Sequence, residues 1–188
     1  MDRLYSQNPI LIDHFALYIL HFAFFVLDKR ISPADNRAYW NGNRGAVTLG
    51  DGAKGITRTV DATNSLVGSN ANDAVGYNRV TALSNGNYVV ISPMWDGLWP
   101  NGRGAATWGD GAKGITGIVD ATNSLVGSNA GDHVGGGGAP GRGGVVALSN
   151  GNYVVASPDW SNHRGAVTWG DGTMGITGFV DETNSLIG

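Results

Sequence analysis

The 188-residue sequence has no cysteine, and only 14% of its residues are charged, for a formal net charge of −3. Without cysteine there is no disulfide framework and no thiolate zinc site. That absence leaves the compartment open, because many secreted proteins also lack cysteine. A small negative charge without a basic patch excludes the electrostatic footprint of a nucleic-acid binder. A hydrophobic share of 41% excludes an acidic disordered tail. Glycine is in excess, 31 residues, but without the every-third period of collagen. Abundant Gly beside Val, Thr and Trp predicts an all-β protein with many turns.

The sequence repeats itself. DATNSLVGSNA begins at Asp61 and again at Asp120, and DETNSLIG begins at Asp181. GAVTLGDG starts at Gly45, GAATWGDG at Gly104 and GAVTWGDG at Gly165, offsets of 59 and 61 residues. ALSNGNYVV recurs at Ala82 and Ala147, an offset of 65. The offsets differ because the loops differ, which stacked or radial repeats tolerate.

One unit reads as four short strands. Val80 to Leu83 and Tyr88 to Ser92 flank Asn85-Gly86, a hairpin signal. Gly104 to Trp108 is the third strand and Ile115 to Asp120 the fourth, followed by a polar connection to Gly135. Four antiparallel strands in a unit of about 40–60 residues is propeller-blade arithmetic. The alternative is a β-solenoid, whose shorter coils advance without tight antiparallel reversals. The expected boundaries are a partial blade over 31–78, a blade over 79–144 and a partial blade over 145–188.

The order of motifs resembles the FG-GAP repeat of integrin α-type β-propellers. Val75-Gly76 and Val134-Gly135 stand where that family has Phe-Gly. Ile31-Ser32-Pro33, Ile91-Ser92-Pro93 and Ala156-Ser157-Pro158 stand where it has Gly-Ala-Pro, and Gly165-Ala166-Val167 completes the pattern. The units are also similar to degenerate repeats of large bacterial surface proteins, including filamentous-haemagglutinin-like ones. The resemblance implies a secreted or cell-surface bacterial protein with an adhesive or structural role. It departs at the family's calcium loop, where Ser84-Asn85-Gly86-Asn87 and Ser149-Asn150-Gly151-Asn152 hold no carboxylate. A hard cation needs six to eight oxygen ligands, so no calcium site carries over, and no metal or cofactor is expected.

Residues 1–30 stand outside the repeat. Ile10 to Leu27 is an apolar run broken by Asp13, His14 and His21. It reads as a signal or membrane anchor, as a foreign segment, or as a packed helix. Membrane contact is expected only through residues 10–27, if they anchor. The repeat count, about two and a half blades, falls short of the roughly four of a closed ring. The expectation is a piece of a longer array or several chains closing a ring, with open edges prone to self-association.

No catalytic constellation emerges, and the chain reads as a non-enzyme. His133 and His163 occupy loop positions peculiar to one unit. Ser157, Asp159 and His163 lack a G-x-S-x-G elbow, and Ser157 repeats as Ser92 and Ser32. Asp51, Asp110 and Asp171, like Asp61, Asp120 and Asp181, recur in every unit, which suggests turn chemistry. Trp108 and Trp169 read as core between blades. The candidate ligand-binding residues are Trp95, Trp99, Arg103 and Trp160, in loops that differ between units. An exposed loop Trp stacks on a sugar or a partner surface, while packing within the loop is the alternative. The expected role is a structural module that binds protein or glycan through loops 94–103, 136–144 and 159–164. The alternatives are a carbohydrate-binding or hydrolytic propeller, and a gene remnant without a function of its own.

Overall fold

The computed structural model describes residues 42–51, 56–57, 59–77, 79–136 and 143–188, with the backbone of 19–20 and 23–27. The first sheet contains β1 (Ile19–Leu20), β2 (Ala23–Leu27), β3 (Ala46–Asp51) and β4 (Leu66–Val67), in that spatial order. The chain continues through β5 (Arg79–Ala82), β6 (Tyr88–Ser92), β7 (Ala105–Gly109), β8 (Gly117–Ile118) and β9 (Leu125–Val126). The third stretch holds β10 (Gly144–Ala147), β11 (Tyr153–Ser157), β12 (Ala166–Gly170), β13 (Gly178–Phe179) and β14 (Ser185–Ile187). The described residues are nearly all β, in three mostly antiparallel sheets, with one helical turn at Trp160–His163.

The second and third sheets share one register. Val89 pairs with Trp108 as Val154 pairs with Trp169, and Ile91 with Ala106 as Ala156 with Val167. The Asn-Gly reversal forms as the sequence predicts, with Leu83 and Asn87 closing it and Gly86 at φ 91°. These antiparallel meanders are not the parallel coil stacking of a β-solenoid.

Two expectations need correction. The fourth strand of a sheet is not Ile115 to Asp120. Leu125–Val126 pairs with Ala105–Ala106 and fills that place, inside the stretch read as a polar connection. The segment Gly117–Ile118 instead leaves its own unit and adds a parallel strand to β4 of the first sheet. Gly178–Phe179 does the same to β9 of the second. Apolar pairs of two residues are too short for periodicity to assign them to a sheet. The second correction concerns the N-terminal segment. Its residues 23–27 are a strand paired with β3 as β6 is paired with β7, not a helix. Ala-Phe-Phe-Val-Leu has the aromatic and β-branched content of a strand. Among the described residues no helix is long and apolar enough to cross a membrane.

Each sheet has two apolar faces, and successive sheets stack face to face. One layer packs Val47 and Leu66 of the first sheet against Val80, Tyr88, Val90, Ala105 and Val126 of the second. The next packs Val89, Ile91, Ala106 and Leu125 against Tyr153, Val155 and Ala166 of the third. A fully buried Val, Leu or Ile side chain contributes about 1.5–3 kcal/mol, against about 1 kcal/mol for a hydrogen bond. These layers therefore dominate cohesion, and the polar pairs inside them set register. Thr48–Ser65, Thr107–Ser124 and Thr168–Ser185 are such pairs, at 2.6, 2.7 and 2.6 Å.

The donated strands lock adjacent units. Gly117 and Val119 donate backbone N–H to Ser65 and Val67, and Gly178 and Val180 to Ser124 and Val126. Gly117 and Gly178 lie at φ 107° and 99°, a region open to glycine alone without strain.

Candidate functional site

The loops that hold the candidate residues run from Pro93 to Arg103 and from Pro158 to Arg164. Each is pinned by a buried carboxylate of the preceding turn. Asp73 is fully buried and accepts from the backbone N–H of Asn70 at 2.8 Å and of Asp96 at 3.1 Å. Asp132, equally buried, accepts from Ser128, Asn129 and Ser161 at 3.0, 2.8 and 3.0 Å. Burial pushes the Asp73 carboxyl above its ordinary value, while the amides of Asn70, Asp96 and Ser69 pull it back. The SNANDA and SNAGDH segments carried this signal in the sequence as a repeated Asp beside polar turn residues. Nothing local in those segments marks the Asp as the anchor of the next loop.

The four candidate residues separate into two pairs. Trp95 and Trp160 are 9% and 8% exposed, each inside one of the two core layers. Their indole Nε1 atoms are buried without a hydrogen-bond partner among the described residues. Trp99 is 53% exposed at the rim of the first loop. Arg103 is half exposed and pairs with Asp96, Nε to Oδ2 at 3.3 Å. The loop 136–144 lies mostly outside the described residues.

Trp99 meets a group that the sequence reading set aside. Its ring contacts His133 edge to face, with centroids 4.7 Å apart. His133 is 3% exposed, and its Nε2 lies 2.8 Å from the Pro100 carbonyl oxygen. A carbonyl only accepts, so Nε2 carries the proton and donates. Burial holds the imidazole below its ordinary value, against the opposing charges of Asp159 and Asp132. Nearby, Nδ1 of the exposed His163 lies 3.2 Å from the Asp159 carboxylate. Ser161, Asn162 and His163 follow one another at φ 51°, 57° and 67°, a left-handed turn that lifts His163 outward.

The other polar residues serve the scaffold. The Ser157 hydroxyl is buried and accepts from Gly135 N–H, as Ser92 accepts from Gly76 N–H. Asp61, Asp120 and Asp181 each accept from the backbone and hydroxyl of the Thr two residues on. Asp110 and Asp171 accept from the amides that follow them. Asn85 and Asn87, in the shortened loop, donate side-chain N–H to the Gly172 carbonyl at 2.7 and 2.8 Å. A polar-walled groove of about 530 Å³ opens between the first two units, lined by Asp51, Thr57, Thr63, Lys113 and Thr116. No group of three or more His, Asp or Glu able to hold a metal occurs among the described residues.

No curated protein matches the chain. A family model described as a repeat of unknown function, DUF5650, matches three stretches, residues 36–77, 82–136 and 147–188. The second and third matches open at the Asn-Gly hairpin and run through the donated strand. They cover most of the sequence, and the chain belongs to this family of repeats of unknown function.

Proposed function

We propose that the chain is a non-enzymatic scaffold of FG-GAP-like blades that holds the loops 94–103 and 159–164 for binding a glycan or protein at a bacterial surface. One observation carries this reading. Buried Asp73 and Asp132 fix the loop backbones, while Trp99 stands exposed against the buried His133. A rigid aromatic platform loses little conformational freedom on binding, which is what a stacking site needs. Arg103, paired with Asp96, is half exposed in the same loop, and His163 is exposed in the other. Face-to-face stacking of successive sheets, each with four strands of its own unit, also supports the blade reading, and ring closure needs about four such blades. The surface location rests on the motif resemblance.

The test is a glycan and protein-ligand screen on the full chain. Binding is expected to quench tryptophan emission and to weaken at least tenfold in Trp99→Ala, with Trp95→Phe serving as the buried control; a stacked aromatic at a hot spot is worth at least about 2 kcal/mol. A folded protein that takes up no ligand, or binding indifferent to Trp99, would end this reading.

A further inference from the structure

The face of the third sheet that points away from the second is bare. Val146, Val167, Trp169 and Leu186 are 60%, 45%, 52% and 79% exposed. Strand register places them together on one side: Val146 opposite Val154, Val154 opposite Trp169, and Val167 opposite Leu186. The equivalent positions of the other two sheets are covered. Val47 and Ala106 are each 1% exposed, and Leu66 and Leu125 are fully buried.

The cover is the same segment both times. In the second unit Gly114 packs on Leu49, Gly117–Ile118 pairs with β4, and Val119 enters the core. In the third, Gly175 packs on Trp108, and the Trp108 indole donates to the Gly172 carbonyl at 3.0 Å. Gly178–Phe179 then pairs with β9, and Val180 enters the core. Trp169 follows Trp108 and Leu49 in the repeat. The carbonyls of Ser185 and Ile187 follow those of Ser124 and Val126, which accept the donated strand.

We infer that this face of the third sheet is a docking surface for a further repeat unit, whose Gly-Asp-Gly-x-x-Gly-Ile-Thr-Gly-x-Val segment covers Trp169 and adds a parallel strand to β14. The first unit of a second copy is not that occupant. Arg58 stands in the sequence where Gly117 and Gly178 stand, and those glycines need φ near 100°. The opposite face of the first sheet is already covered, with Ala46 and Thr48 only 1% and 3% exposed. Docking is therefore directional, from a unit with Gly at that position onto the third sheet. This inference stands apart from any ligand at the loops.

The sequence supplies its own probe and control. Residues 109–120 and 50–61 are both GDGAKGIT followed by four residues, GIVD in the first and RTVD in the second. Each peptide is added to the full chain. Trp169 shielding is read by quencher access against Trp169→Phe, and β14 by amide exchange. The 109–120 peptide is expected to shield Trp169 and slow exchange at 185–187, and the 50–61 peptide to do neither. L-Ala at the Gly117 position is expected to bind at least about fivefold weaker, while D-Ala, which favours positive φ, retains binding. A second arm appends another copy of residues 128–188 after Gly188, which stands where Gly127 does in the preceding unit, with Trp169→Phe in the added copy. Trp169 of the original unit then becomes as shielded as Trp108. The inference is overturned if both peptides act alike, or if Trp169 stays accessible in the extended chain. It is also overturned if light scattering finds the unmodified chain dimeric with Trp169 already shielded.

Discussion

Asp73 and five turn aspartates of this chain respond to acid in opposite directions. Asp61, Asp110, Asp120, Asp171 and Asp181 sit in exposed turns and accept short bonds from the residues that follow. At Asp120 the Thr122 hydroxyl and amide hold the carboxyl below its ordinary 3.8, with desolvation opposing weakly. Its folded value is depressed, so its contribution to stability is present above 3.8 and lost as pH falls through the folded value. Asp73 does the reverse: burial raises its value, and the desolvation cost is relieved on acidification. Urea titrations of wild type and Asp120→Asn should show a small gap that is constant above about pH 4 and closes toward pH 2. A gap that widens on acidification would contradict the assignment. The same residues explain part of what was readable beforehand. Four of these five turn aspartates have a Thr two positions later, and all five recur between units. Buried Asp73 and Asp132 have Val75 and Val134 at that position, and the tertiary approach of Asp96 and Ser161 makes them anchors.

At the scale of the element, the least familiar device is the strand lent to a neighbour. Gly178 lies at φ 99°, and a Cβ added there would meet nothing within 4 Å. Substitution therefore tests backbone conformation without a steric clash. Gly178→Ala is expected to lower stability by about 1–2 kcal/mol and to raise quencher access to Trp108, which the displaced segment covers. A neutral effect on both would mean that the parallel strand contributes nothing to cohesion. The strands around the Asn-Gly turn were legible because a continuous apolar run, its length and the turn chemistry agreed at Tyr88 to Ser92. The lent pairs and Leu125–Val126 were not, since two residues carry no period, and the partners of the lent pairs lie 51 and 53 positions away. The apolar length of 10–27 suggested a helix or an anchor. The described strand at 23–27 reflects instead the free edge of β3, which needs a partner as β7 does.

Over the whole molecule the three units are unequal, although their sequences nearly coincide. The near-identity of Trp108 and Trp169 suggested equal burial, yet only Trp108 has a unit on top of it. The candidate loops show the same limit: Trp95 and Trp160 look like Trp99 in sequence, and only the layered packing hides them. Stability in a linear repeat is a sum of unit terms and nearest-neighbour interfaces, so a unit with two interfaces outlasts a unit with one. The second sheet is covered on both faces, with Val89, Val90 and Ile91 fully buried. The third is covered on one, and Leu186 at its edge is 79% exposed. Native-state hydrogen exchange should therefore rank the amides of β6 and β7 slowest and those of β12 and β14 faster by at least tenfold, since about 1.4 kcal/mol of missing cover gives that ratio. Equal protection across the second and third sheets would mean that the units unfold as one block, and that cooperativity, not local cover, sets their stability.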